Sequence, residues 1–549
     1  VAKLRNGDFD ESLIEATINN YKMQMMRSFE ENESRAMLYV YSFINGADWA
    51  DEVQQLDRMS KITKQDVVDW ANKYLGPESY AIVYKREGKD PNEQKIAAPK
   101  ITPIVTNRDS QSEFLTEIQN SKVEPIEPVF VDYKKDMSQF EAQKGVNVLY
   151  KKNETNDIFT LIYVFNTGTE NDPALNLAFD YLSYLGTDKM SAEQIASEMY
   201  AIACSFGLSA GTNQSWIEIS GLSENMGKAM EIVEGLIAGA QPNEEILQNL
   251  KGDMIKSRAD AKLNQSRCFG ALQRYMIYGS DFIRRTTLTD PALQGLTSEQ
   301  LLAKIGDLMG KQHEVLYYGP QDEAEVKAAL AAHHKVAADL QPLEKKFSTL
   351  QPTDENKVML AQYDAKQLYY MQYSNRGEKF DLAADPQITL YNEYFGGGMN
   401  TIVFQEMREA RGLAYSAWAN LAIPTNAKGD SYYMAFIATQ NDKMQKAIEA
   451  FDEIINNMPE SEKAFDIAKE ALISRLRTER TVKDGVLWSY IRMRDLGLTE
   501  PRGKQIFEKA QQMTLADVKA AQEKWVKGRK YVYGILGDIK DIELNYIKK

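Results

Sequence analysis

Five residues in the chain carry the nitrogen or sulfur donors that a transition metal favours: His313, His333, His334, Cys204 and Cys268. No histidine opens an H-x-x-E-H or H-E-x-x-H spacing, which would set two imidazoles and a carboxylate on one helix face. His333 and His334 are adjacent, and neighbours on a helix point about 100° apart, so they do not chelate one ion from one face. Both are expected as solvated residues of the Ala-Ala-His-His-Lys stretch, and His313, in KQHEVLYYG, as a structural residue at the entrance to a strand. Cys204 and Cys268 lack the short spacing and the Cys or His neighbours of a metal knuckle. Metal chemistry therefore lies outside this chain, or nowhere.

The other chemistry-bearing stretch is FGGGMNTIVFQEMREARGLAYS, Phe395 to Ser416. Gly396, Gly397 and Gly398 break one helical pattern, and Asn400 is suited to cap the next helix. Val403, Met407 and Ala410 give that helix an apolar face, and Gly412 ends it. Leu413, Tyr415, Ala417, Ala419 and Leu421 then alternate with Ala414, Ser416, Trp418 and Asn420, the pattern of a strand. The helix carries Arg408, and Tyr415 follows it by seven residues. Taken alone, Tyr415 is a packing residue of a strand and Arg408 a surface cation beside Glu409; Arg411 reads as solvated or structural. The glycines are either a bare turn or a place where backbone approaches a peptide closely.

Three segments share the design that would position these residues. They are ITKQDVVDWANKYLGPESYAIVYK from Ile62, LTSEQLLAKIGDLMGKQHEVLYYG from Leu296 and MTLADVKAAQEKWVKGRKYVYGILG from Met513. Each opens with a capping box (Thr63/Asp66, Thr297/Gln300, Thr514/Asp517) and enters an apolar strand 17 residues after its threonine, at Tyr80, Glu314 and Tyr531. Gly145 to Gly168 reads as strand, turn, strand; Lys357 to Gly377 repeats the plan, with Asp385-Pro386 expected as N-cap and first residue of a helix. Two complete repeats are thus expected at about 135–340 and 345–549, with 1–86 the back half of an earlier one. Residues 87–134, rich in Pro, Asp and Glu, read as a linker.

The order Gly-rich turn, helix with Arg408, sharp turn, strand with Tyr415, set in this repeat plan, resembles the C-terminal part of the pitrilysin/insulinase family of zinc peptidases. The resemblance covers essentially the whole chain. It implies an α+β fold of duplicated domains, each a curved, mostly antiparallel sheet with helices packed on one face. It also implies that Arg408 and Tyr415 reach a peptide held at a zinc ion, Tyr415 supporting the developing oxyanion and Arg408 a substrate carbonyl. The family's zinc helix ends in Gly-Thr; the matching helix here, PALNLAFDYLSYLGT, ends at Gly186-Thr187 and places Leu177, Asp180 and Tyr181 where the two imidazoles and the catalytic glutamate belong. Leucine has no donor and neutral tyrosine is a poor ligand, so the resemblance implies that zinc is bound by a part absent from this chain.

The implied function is the substrate-binding part of a zinc endopeptidase, inactive by itself, whose partners are a peptide substrate and the missing zinc-bearing half. The alternative is a non-catalytic partner or scaffold subunit that clamps peptides for a separate catalytic subunit. Composition fits a multi-domain globular protein: 549 residues, 43% hydrophobic and 26% charged. A net charge of −14 argues against nucleic acid and suits neutral or basic peptide segments. No apolar run of ~18 residues predicts a membrane span. Phe9 to Trp70 reads as helices alone, and Val1 is no initiator methionine, so the chain is expected to begin inside a domain; a periplasmic or exported location is favoured only by similarity to large bacterial enzymes.

Overall fold

The computed structural model describes residues 1–76, 80–88, 112–122 and 124–539. Half of the expected linker lies outside the described residues; within it, Ser112 caps a helix, Glu113–Asn120. Eleven strands among the described residues build two sheets. The first holds β1 (Ser138–Gln143), β2 (Val146–Lys152), β3 (Ile158–Phe165), β4 (Cys204–Ala210), β5 (Ser215–Leu222) and β6 (His313–Gly319). The second holds β7 (Lys357–Gln362), β8 (Gln367–Lys379), β9 (Ser416–Ala422), β10 (Asp430–Gln440) and β11 (Val532–Gly537).

Their orders, β1-β2-β6-β3-β5-β4 and β7-β11-β8-β10-β9, are the same apart from the extra edge strand β1. In each sheet one pair is parallel, β2 with β6 and β7 with β11, and every other pair is antiparallel. The fold is a duplicated α+β domain with mostly antiparallel sheets. The consecutive strands β2 and β3 are not partners, because the strand that closes the repeat, β6, inserts between them; β11 does the same between β7 and β8. All three capping boxes form, each threonine exchanging hydrogen bonds with the residue three positions on. Asp385, expected as an N-cap, is instead the first helical residue after Ala384, and its buried carboxylate pairs with Arg502.

The strand expected from Tyr80 does not form. Residues 80–86 join no sheet, and Ile82, Val83 and Tyr84 are exposed. A strand in the position of β6 or β11 takes its backbone bonds from a neighbour on each side, and no described strand stands beside residues 80–86 to supply them.

Helices of each repeat cover one face of its own sheet and make its largest core. The other face is covered reciprocally. The helix Gly485–Asp495 of the second repeat lays Val486, Leu487 and Ile491 on Leu149, Ile162, Val164 and Leu316 of the first sheet. The helix Gln265–Thr286 of the first repeat lays Phe269, Met276 and Ile277 on Met371, Tyr373, Val532 and Leu536 of the second. Gly534 on β11 makes room, since a Cβ there would fall 2.2 Å from the Met276 sulfur. Arg494, reaching back from the end of its helix, holds Glu314 on β6 with two bonds of 2.6 and 2.8 Å. Leu487 is fully buried, so Leu487→Ala should lower the unfolding free energy by about 2–5 kcal/mol. Urea titration followed by tryptophan fluorescence checks this, and a change within ±0.5 kcal/mol would mean that the contact is not part of the cooperative core.

Candidate functional site

Arg408 and Tyr415 stand side by side on a distorted helix end. The N-cap position falls on Thr401, not Asn400, with its hydroxyl spent on the Gly398 carbonyl at 2.7 Å, and the helix begins as the single turn Ile402–Phe404. It then widens into a π-helical stretch, Gln405–Ala410. One carbonyl, that of Met407, accepts both the Leu413 and the Ala414 N–H, at 2.9 and 3.2 Å. Widened turns of this kind are rare and concentrate at functional sites. The extra residue rotates the end of the helix: Val403 and Met407 remain buried, but Ala410, expected on the same face, is exposed.

The Arg408 guanidinium lies over the Phe404 ring at 4.9 Å and the Tyr415 ring at 5.5 Å. Its one ion pair among the described residues, with Glu409 at 3.6 Å, is open to solvent on both sides and holds it weakly. Arg411 is bound instead, to Glu453 at 2.8 Å and Glu406 at 3.3 Å. Gly412, at φ +57°, turns the chain into β9.

Tyr415 does not continue the inward set Ala417, Ala419, Leu421. Those three are buried and Tyr415 is 72% exposed, because the strand proper starts at Ser416 and Ala414 takes the inward place before it. The Tyr415 N–H bonds to the Ala438 carbonyl at 3.0 Å, which anchors the backbone to β10. Its hydroxyl has no partner among the described residues. A phenol and a guanidinium, both fixed at the root and both with free donors, are thus presented on one side of the second sheet. Sequence reasoning missed Phe404, which carries the guanidinium; its place four residues before Arg408 was the available signal.

Gly396 is used within the fold. A Cβ there would lie 2.3 Å from the Asn392 carbonyl oxygen and 2.9 Å from that of Ala419. Its own carbonyl accepts the Ala419 N–H at 3.2 Å. Gly397 and Gly398 are exposed.

On the helix Leu175–Leu182, Leu177 and Tyr181 are in the core, at 1% and 0% exposure, and Asp180 faces solvent. The Tyr181 hydroxyl donates to Ser298 at 2.7 Å and accepts the Asn243 N–H at 2.6 Å. Partial burial raises the Asp180 carboxyl above the usual carboxylate range. One carboxylate, a committed phenol and a hydrocarbon do not fit zinc. Among the described residues no group of three or more His, Cys, Asp or Glu side chains could hold a metal ion.

The Peptidase M16 inactive domain matches residues 310–472, a span that includes the Gly-rich turn, Arg408 and Tyr415. Over that span the chain is similar to the M16, or pitrilysin-type, peptidases. An uncharacterized zinc protease of Streptomyces coelicolor is 23% identical over 46% of this chain and 56% of its own length. The M16 inactive domain from Pseudomonas fluorescens superposes with a TM-score of 0.59 at 19% identity, over 73% of this chain and all but 3% of that one. The periplasmic protease PqqL from Escherichia coli does so with a TM-score of 0.58 at 14% identity, over 94% of this chain and 60% of its own. The chain therefore spans little more than half the length of some of the proteins it matches.

His334, expected on the surface, is 1% exposed. It is the residue after the helix Glu323–His333, with φ −85° and ψ 79°, so the helical spacing of His333 and His334 does not apply and its ring turns inward. The His313 Nδ1–H donates to the Lys311 carbonyl at 2.8 Å, which leaves its Nε2 lone pair to accept from the His334 Nε2–H, also at 2.8 Å. The His334 Nδ1 lies 2.6 Å from a carboxylate oxygen of Glu234. Burial, helped by the neighbouring His334, pushes the His313 imidazole down to about 4. Unfolded, it would protonate near 6.5, so the unfolded chain binds the extra proton first and stability falls as pH drops from 6.5 towards 4. The loss should reach on the order of 3 kcal/mol. Thermal unfolding at pH 7 and pH 4.5 measures it, and an acid-induced loss of equal size in His313→Gln would assign it to other groups.

Proposed function

We propose that this chain is the substrate-binding part of a zinc-dependent endopeptidase and acts on peptides together with a zinc-bearing part. The observation that carries the reading is Tyr415: a tyrosine 72% exposed with an unengaged hydroxyl, stacked by an arginine on a π-helical turn. A merely packed tyrosine would bury its ring, and a merely solvated arginine would not lie over two rings. The domain division at about 1–86, 87–134, 135–340 and 345–549 belongs to the same proposal.

A peptide carbonyl placed before the pair accepts the Tyr415 O–H and an Arg408 N–H. As that carbonyl is attacked, negative charge grows on its oxygen and both bonds strengthen, so they favour the transition state over the bound substrate. Phe404 and the Tyr415 ring limit the guanidinium's freedom, which lowers the entropy lost on binding. The attack is made by groups of the zinc-bearing part. A partner-subunit role would use the same clamp, and the two readings part on whether that zinc-bearing part lies on the same polypeptide.

The test is peptide hydrolysis by the chain joined to or mixed with its zinc-bearing part. Tyr415→Phe should lower kcat by ~10²–10³, or roughly 3–4 kcal/mol, with little change in KM. Arg408→Ala should lower kcat/KM. The chain alone should cleave nothing. Near-normal turnover in Tyr415→Phe would return that tyrosine to a structural role.

A further inference from the structure

The outer edge of the second sheet is closed and that of the first is open. Along β9 the outward N–H groups of Ala419 and Leu421 are taken by the Gly396 carbonyl and the Asn392 side chain, at 3.2 and 2.9 Å. The Leu421 carbonyl accepts from the same asparagine at 3.1 Å. Asn392 lies seven residues after Asp385-Pro386; the residue seven after the corresponding Asp172-Pro173 is Phe179, which has no polar side-chain atom to offer.

On β4 the phase of the ladder is fixed at both ends. Leu222 N–H bonds to the Ala203 carbonyl and Gly211 N–H to that of Gln214, so Ser205, Gly207 and Ser209 exchange bonds with β5. Phe206, Leu208 and Ala210 then aim their N–H and C=O groups off the sheet, and among the described residues nothing meets them. The strand, CSFGLSA, has no proline and no charge, the usual guards of an exposed edge.

We propose that the β4 edge is a second peptide-binding site, where an extended segment of another polypeptide adds as a further strand. This rests on the peptide-binding reading above and gives it a place apart from Arg408 and Tyr415. Side chains of alternate residues in the added strand lie beside the half-buried Phe206 and Leu208, which selects apolar residues there. The other alternate set lies with the exposed Ser205 and Gly207, at the margin of the face that the helix Gly485–Asp495 covers further in. Glu218, paired with Gly207 across the ladder, favours lysine or arginine there, whereas Arg27, which donates to Ser220 at 3.0 Å, favours a neutral residue beside Ser205. A second copy of this chain is disfavoured as occupant, because two bodies of net charge −14 repel.

The probe is a fluorescein-labelled heptapeptide of alternating valine and lysine, titrated with the full chain and read by fluorescence anisotropy. Leu208→Pro removes an outward N–H that β5 does not use, and should weaken binding at least about tenfold. The same peptide N-methylated at alternate residues keeps its side chains and should bind unmutated chain as poorly, which separates lost ladder bonds from misfolding. Equal affinity of the chain for plain and N-methylated peptide would overturn the proposal. So would binding that survives Leu208→Pro and is lost in Arg408→Ala; that result would leave the clamp standing. Sedimentation showing a dimer that Leu208→Pro dissolves, with no peptide bound, would give the edge to a second copy instead.

Discussion

Neither sheet can be stable with only its own helices. Each has apolar side chains on both faces, and its own repeat covers one of them. The face left over is closed by a helix from the other repeat, Gly485–Asp495 on the first sheet and Gln265–Thr286 on the second. Water would meet Leu149, Ile162, Val164 and Leu316 on one sheet, and Met371, Tyr373, Val532 and Leu536 on the other, if the repeats parted. Exposing such a surface costs about 25 cal/mol for each Å², so the two repeats are held in one arrangement. Every position discussed for substrate inherits its geometry from this exchange, since β9, β10 and the turn carrying Arg408 belong to a sheet whose back is a helix of its neighbour.

Much of this was legible from the chain itself. The capping boxes at Thr297 and Thr514 and the distance from each to its strand located the closing strand of each sheet, because capping chemistry and a 3.6-residue period are local. The order of strands was not legible: nothing in VNVLYKK and IFTLIYVF says that HEVLYYG, a long way down the chain, will separate them. The helix exchange was hidden for the same reason. An amphipathic helix announces that it has an apolar face, not which repeat will receive it. The strand expected at Tyr80 fails in the complementary way, since local pattern was present and its neighbours were not.

The site shows where the local rules gave out. Arg408, Tyr415 and their separation were visible in sequence, and the structure places them together. That Tyr415 faces outward was not visible, because strict alternation from Leu413 to Leu421 puts it inside with Ala417. The π-helical turn breaks that alternation by adding a residue before the strand begins. His334 was misplaced by a related error: an angle of 100° between neighbours holds only within a helix, and His334 is the first residue beyond one.

The two repeats use one fold to opposite ends, and the helix after the Asp-Pro start shows how. In the first repeat its positions are Leu177 and Tyr181, both buried, with the tyrosine hydroxyl spent on Ser298 and Asn243. In the second its Asn392 seals the edge of β9. Sealing matters beside the clamp: with Ala419 and Leu421 occupied, a peptide cannot slide along β9 as an added strand, and the exposed donors near it are those of Arg408 and Tyr415. A hydrophobic Phe179 in the matching place leaves β4 without a seal, at the cost of an exposed edge and with the gain of a ladder free to pair. The difference between a residue that finishes the core and one that finishes a hydrogen-bond ladder thus sets which surface of each repeat stays open.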